Sequence, residues 1–287
     1  MLQDLTFGRL ENEFRNFAPE EFDIVICIRE KTILTARRED GCLFFPEYQQ
    51  VQKWSTHSSW KSWGDIPIRF VFRMQERNYF LWMGESGECS HPAYFYIEAR
   101  KMRELGSKDA CFAAMTAWHL YVWYRNNRFC GNCGSRTIHD QLERMVRCPD
   151  CGNLIFPRIS PAVIVGVTNG ERLLLSKYAG RSYAHYALLA GYTEIGETLE
   201  QTVHREVMEE VGLRVKNIRY YKSQPWGIDG NVLMGFFCDV DGDDTIRIDE
   251  SELSMAQWYE RGALPAKDDG ISLTREMIRV FEEGREK

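Results

Sequence analysis

Glu206, Glu209 and Glu210 are spaced i, i+3 and i+4, and on an α-helix that spacing gathers them into one surface patch. Three carboxylates so close repel one another unless cations neutralise them. Hard divalent ions with oxygen ligands, Mg²⁺ or Mn²⁺, suit that need. Just ahead of them a loop carries Gly191 and Gly196 and ends at Glu197. With no side chain at either glycine, the loop can turn tightly beside a phosphate. The competing reading is a solvated glutamate-rich helix face, which spacing taken alone favours.

Four cysteines offer a second chemistry. Cys130 with Cys133, and Cys148 with Cys151, form two C-x2-C pairs separated by fourteen residues, each followed by a glycine, Gly134 or Gly152. Four thiolates at this spacing suit a tetrahedral, structural Zn²⁺ with no ligand position left for water. A redox C-x2-C pair is the alternative, and two pairs in tandem argue against it. His139, between the pairs, reads as a surface residue because the Cys₄ set is already complete. Cys27, Cys42, Cys89, Cys111 and Cys238 are scattered, a usage that fits a reducing cytoplasm better than a disulfide framework.

From Gly191 to Leu213 every fixed position matches G-x5-E-x7-R-E-U-x-E-E-x-G-U, where U is a bulky aliphatic. The stretch resembles the Nudix box, and with the whole box intact the solvated-face reading gives way. A Cys₄ ribbon directly before it and Ser223-Gln224-Pro225-Trp226 after it resemble the NADH pyrophosphatase, or NAD(+) diphosphatase, family. The resemblance runs from Ala117-Trp118-His119 through the ribbon, Phe156 to Ile164, the box and Ser223 to Trp226, as far as Trp258-Tyr259. It weakens before residue 95. It implies hydrolysis of NAD(H) at its diphosphate to nicotinamide mononucleotide and AMP, with Mg²⁺ or Mn²⁺, structural Zn²⁺ and a homodimer. Members also remove NAD caps from RNA. The alternative enzyme is a Nudix hydrolase of another nucleoside diphosphate, such as ADP-ribose. A different class is a nucleotide-binding regulator, against which the intact Arg205-Glu206 and Glu209-Glu210 pairs speak. A third is RNA binding through the ribbon, where Arg125, Arg128, Arg136, Arg144 and Arg147 make the segment basic, and a solvated ribbon surface explains them equally well.

Roles follow from chemistry and from the resemblance together. A diphosphate repels nucleophiles, and bound cations offset its charge and lower the pKa of a bound water. Glu206 and Glu210, one turn apart, are the expected inner ligands. Glu209 is a further ligand or the general base. Arg205 orients a carboxylate rather than touching phosphate, and Glu197 supports the helix start. The resemblance adds Glu252 and the Ala190 carbonyl as metal ligands. It also adds Glu143, Phe156, Tyr192, Gln224, Pro225 and Trp226 on the substrate side, with Phe156 and Tyr192 able to stack on a ring. Two departures stand out. After Trp226 the family continues Pro-Phe-Pro-x-Ser, whereas here Gly227-Ile228-Asp229-Gly230-Asn231-Val232 follows and is one residue longer. Near the C-terminal helix, Gly270-Ile271-Ser272-Leu273 replaces a Ser-Ile-Ala. The glycines predict a mobile loop where prolines would stiffen it, hence a weaker KM or a broader specificity.

The elements that must position these residues are legible in outline. Thr198 and Gln201 form a capping box, Leu199, Val203, Val207 and Val211 line one face, and Gly212 sits where a left-handed residue ends a helix. A helix over 198–211 follows. Strands are expected near Ile24–Ile28, Ile68–Arg73, Tyr79–Met83, Ala93–Ile97, Ala162–Val167, Arg172–Ser176, Val215–Tyr221, Val232–Val240 and Gln257–Tyr259. Helices are expected over Asp109–Asn126 and Leu273–Phe281, and Pro157 and Pro161 bracket a linker. The expected fold is α+β and multidomain: a β-rich N-terminal domain (1–125) ending in a helix, a zinc ribbon (126–157) and a Nudix α/β/α sandwich (158–287). Trp54, Trp60, Trp63 and Trp82 read as the core of the first domain rather than a base-stacking surface. At 287 residues and 44% hydrophobic, the chain can hold such cores. A net charge of −6 argues against a nucleic-acid binder as the default. No run of 18 apolar residues appears, so no membrane span is expected, and the first residues do not read as a signal peptide.

Overall fold

The computed structural model describes residues 1–6, 8–54, 68–83, 91–180, 185–265 and 269–286, so Trp60, Trp63 and Cys89 lie outside the described residues. The chain divides into two units. One is Asp4–Arg158 with Gly227–Gly230. The other is Met1–Gln3 with Ile159–Trp226 and Asn231–Lys287.

The first unit begins with strands β1 (Leu10–Glu11), β2 (Ile24–Arg29), β3 (Thr32–Arg37) and β4 (Leu43–Phe44), and helix α1 (Tyr48–Trp54). Strands β5 (Ile68–Met74), β6 (Arg77–Trp82) and β7 (Tyr94–Glu98) follow. Among the described residues these form one sheet in the order β1-β5-β6-β2-β3-β4, with β7 also on β3. Its core includes Val25, Phe70, Phe80 and Trp82, with Trp54 packed against it. The tight turns between β2 and β3 and between β5 and β6 use left-handed Glu30, Gln75 and Glu76 (φ 53°, 51° and 61°) rather than glycine. Helices α2 (Met102–Leu105) and α3 (Lys108–Asn126) come next. Ser107 caps α3 by accepting a hydrogen bond from the Ala110 amide, and Ala113, Ala117 and Leu120 are buried. The three-stranded ribbon sheet, β8 (Ile138–His139), β9 (Val146–Arg147) and β10 (Leu154–Ile155), closes the unit.

The second unit contains β11 (Ser160–Asn169), β12 (Arg172–Tyr178), β13 (Leu189–Tyr192) and α4 (Leu199–Val211), then β14 (Val215–Trp226), β15 (Asn231–Val240), β16 (Leu253–Glu260) and α5 (Leu273–Glu282). The sheet runs β14-β15-β11-β12-β16 with β13 also on β11, and β11 and β15 are parallel. Side chains alternate across a strand, and here each face meets its own helix. Val163, Val165 and Val167 pack with Val203, Val207 and Val211 of α4. Ile164 packs with Met277, Ile278 and Phe281 of α5. Each fully buried valine contributes roughly 1.5–3 kcal/mol. A sheet covered on both faces is the α/β/α sandwich expected. Pro161 is a correction: it lies inside β11, opposite Val232, not in a linker. At the strand's second residue its missing N–H costs little, and its carbonyl accepts from the Thr193 amide. Among the described residues no helix is long and apolar enough to cross a membrane.

Candidate active site

The sequence fixes α4 at both ends. Thr198 and Gln201 form the reciprocal capping box, and Gly212 ends the helix at φ 69°. With the valine face turned to the sheet, Glu206 and Glu210 are drawn inward, at 8% and 1% exposure. Glu209 stays largely in solvent, with 59% of its side chain exposed. The helix lies so close to β13 that a Cβ on Gly191 would fall 1.9–2.2 Å from the Glu206 carboxylate. A side chain at this position would have to displace that carboxylate.

Burial pushes the Glu210 carboxyl up to about 8, with the charges of Glu206, Glu252 and Asp249 adding to the rise. The Ala190 backbone offsets part of it, short of full hydrogen-bond geometry, for both carboxylate oxygens are buried without a hydrogen-bond partner. Burial also raises Glu206, and Arg205 opposes it. Glu252 is exposed, in the turn before β16, yet close enough for its charge to raise both helix glutamates. Ala190 sits on β13 opposite Ile164. Glu206, Glu210, Glu252 and Ala190 thus converge. A buried carboxylate with two unpartnered oxygens beside two other acids fits a hard cation.

Arg205 braces this cluster. Its Nε and Nη2 donate to Glu197 (2.6 and 3.0 Å), its Nη1 to Glu206 and Glu209 (2.7 and 2.9 Å), and its Nη2 also to the Tyr192 carbonyl (2.9 Å). Arg205 holds the Glu197 carboxyl down to about 2, helped by the Glu194 amide and Thr202. The glycine loop, the helix and two of the three patch glutamates are therefore tied through one guanidinium.

The substrate-side candidates divide. Tyr192 is 51% exposed, and its hydroxyl accepts from Asn231 Nδ2 at 3.3 Å. The Asn231 Oδ1 is buried and unpartnered. Sequence reasoning passed over Asn231; its one signal was its place in the departing loop. Gln224 is fully buried. Its Nε2 donates to Gln3 and to the Ile271 carbonyl, and its Oε1 accepts from the Leu273 amide (3.1, 2.8 and 2.8 Å). Those bonds anchor the start of α5, a positioning role. Pro225 is exposed and Trp226 half-buried. Phe156, 53% exposed, and the exposed Glu143 belong to the first unit.

The departing loop is anchored in that first unit. A Cβ on Gly227 would fall 2.2 Å from the Met115 carbonyl of α3, so this glycine permits close approach. Arg100 and Asp229 pair at 2.9 Å. Gly227 therefore lies against the backbone of α3 where the family has a proline.

In the ribbon each C-x2-C pair turns in the same way. Gly134 and Gly152 adopt φ 79° and 75°, and their amides donate to the Cys130 and Cys148 carbonyls (2.8 and 3.1 Å). All four sulfurs lie within 4.8 Å of one another. A tetrahedral zinc with bonds of about 2.3 Å needs sulfurs about 3.8 Å apart, so the set fits. His139 stands apart, half-buried against Tyr124, and burial lowers its imidazole to about 4.

Comparison with known proteins accounts for both parts. Residues 158–281 match the NUDIX domain, and residues 125–156 match the NADH pyrophosphatase zinc ribbon domain. The fold and site define a Nudix hydrolase with a zinc ribbon. Similar proteins include an NAD-capped RNA hydrolase NudC of Chromobacterium violaceum, 43% identical over 58% of this chain and 63% of that protein. Another of that name, from Pseudomonas aeruginosa, is 40% identical over 66% and 68%. A third, from Erwinia tasmaniensis, is 36% identical over 67% and 76%. The chain belongs to the NADH pyrophosphatase family of zinc-ribbon Nudix hydrolases.

Proposed function

We propose that this protein hydrolyses the diphosphate of NAD(H) to nicotinamide mononucleotide and AMP, and removes NAD caps from RNA. The observation that carries the reading is Glu210, a buried carboxylate with both oxygens unpartnered, one turn from Glu206. The similarity to NAD-capped RNA hydrolases supports the substrate. Glu206, Glu210, Glu252 and the Ala190 carbonyl would hold Mg²⁺ or Mn²⁺, which offsets phosphate charge and acidifies a bound water. Arg205 keeps Glu206 and Glu209 in place. Glu209, the solvent-facing member, is the residue able to pass a proton outward, as base or as a further ligand. Tyr192 and Asn231 offer a ring face and an amide to the substrate.

A three-part division at 125/126 and 157/158, a homodimer and a cytoplasmic setting complete the proposal. The described cysteines are all free, which fits a reducing compartment. The test is a product assay with NADH, NAD⁺, ADP-ribose and diadenosine polyphosphates side by side. Mononucleotide and AMP from NADH are expected. An ADP-ribose preference of ten-fold or more in kcat/KM, about 1.4 kcal/mol, would give the function to the alternative substrate.

A further inference from the structure

Three residues remote in sequence from the glutamates are built into the hydrolase sheet. Met1–Gln3 belong to the second unit. Leu2 is fully buried, and Met1 joins the core beneath α5 with Ile164, Met277 and Phe281. The Leu2 amide donates to the Ile271 carbonyl at 2.9 Å, which also accepts from Gln224 Nε2. The segment is thereby fastened to the entry of α5, next to Ser272, whose hydroxyl caps that helix by accepting from the Arg275 amide.

The Gln3 side chain makes a second attachment, to the end of β14. Its Nε2 donates to the Ser223 carbonyl at 3.0 Å, and its Oε1 accepts from Gln224 Nε2 at 3.1 Å. Gln224 is fully buried, and its bonds to Gln3, Ile271 and Leu273 engage both its amide N–H groups and its oxygen. Without the Gln3 carbonyl one of those N–H groups would be buried with no acceptor, which costs more than a typical hydrogen bond contributes. The Gln224 side chain would then have to turn. That strand end fixes the substrate side. Gln224, Pro225 and Trp226 pair with Leu233, Val232 and Asn231, and Asn231 donates to the Tyr192 hydroxyl. Met1 packs on the α5 face of the sheet, whereas the valines of α4 pack on the other. The attachment is therefore to the substrate side and not to the helix that carries Glu206 and Glu210.

We infer that Gln3 is a positioning residue for substrate binding: it fixes Gln224 and, through the pairing of β14 with β15, the Asn231–Tyr192 pair. This rests on the proposed reading that these residues receive the substrate. The experiment uses the full zinc-loaded chain with saturating Mg²⁺ or Mn²⁺. Gln3→Met keeps the length of the side chain and removes both hydrogen bonds. Its KM for NADH should rise about five-fold or more while kcat stays within about two-fold, the signature of lost uniform binding. Gln3→Met combined with Gln224→Met should have a KM no higher than Gln224→Met alone, because the first residue acts through the second. Amide hydrogen exchange over residues 271–275, measured without substrate, should be about ten-fold faster in Gln3→Met. A KM and an exchange rate that stay at the wild-type values, a loss confined to kcat, or effects of the two substitutions that add would each overturn the inference. A melting temperature that falls while KM does not change would make Gln3 a packing residue only. Wild-type protein that leaves NADH intact would refute the proposed function alone. The same KM comparison is then made on whichever of NAD⁺, ADP-ribose and diadenosine polyphosphates the wild type cleaves, and the exchange measurement needs no turnover, so the two failures are distinguishable.

Discussion

Glu210 holds its carboxyl where water cannot reach it, and that decides how the site responds to pH. Its ordinary value is 4.5, and burial lifts it to about 8. Between those values the folded, cation-free chain keeps a proton that the unfolded chain has lost. Stability therefore falls as pH rises from about 4.5 to about 8, and is highest below that window. A divalent cation must displace the proton, so its affinity should rise across the same window. Glu210→Gln removes the titration at nearly constant shape. Turnover should fall about 10²-fold or more, and the decline in melting temperature between pH 5 and pH 8, measured without added divalent cation and with zinc in place, should flatten. Wild-type turnover at saturating Mg²⁺ and Mn²⁺, or an unchanged slope, would show that Glu210 is not the ligand.

At the scale of elements, the site depends on how closely α4 lies on β13. Gly191→Ala would place a methyl inside the Glu206 carboxylate. The Glu206 side chain must then swing its carboxylate away from Arg205 and Glu210, which moves a proposed ligand out of place while leaving the backbone largely where it is. A lower melting temperature and at least a ten-fold loss of kcat are expected, and an alanine variant with normal kcat would show that Glu206 is free to move. Much of this geometry was legible, because α4 announces itself by its capping box, its valine spacing and Gly212. The hairpin β2–β3 was not. Its turn is built on Glu30 at φ 53°, where a sequence reader looks for Asn-Gly, and β3 went unseen. Helix α1 escaped for want of a periodic face, with Val51 its one buried residue. Pro161 misled because a proline bars one donor without barring a strand. Among site residues, the glutamates were found through fixed spacing. Asn231 and the burial of Gln224 depend on partners remote in sequence, Tyr192 for the first and Gln3 and Ile271 for the second.

At the scale of the whole molecule, the ribbon and the hydrolase sheet divide stability from chemistry. Four sulfurs within 4.8 Å leave no open position for a substrate. Cys148→Ser should release zinc and lower the melting temperature, since metal binding and local folding are coupled. In the fraction that remains folded, kcat for NADH should change far less than with Glu210→Gln. Elemental analysis that finds no zinc in wild-type protein purified without chelator would remove the premise.

The parallel pairing of β11 with β15 also sets an order of events during synthesis. Ser160 waits for Asn231, and Thr168 for Asp239. Those partners are about 70 residues away, so at roughly 5–20 residues per second of translation the gap lasts on the order of 4–14 seconds. During that time β11 can find β12 and β13, but its other edge stays open, and an open apolar edge invites pairing with foreign chains. The strand that ends up at the centre of the sheet is thus an aggregation-prone segment while the chain is nascent. Slower translation across residues 170–231 would prolong that exposure.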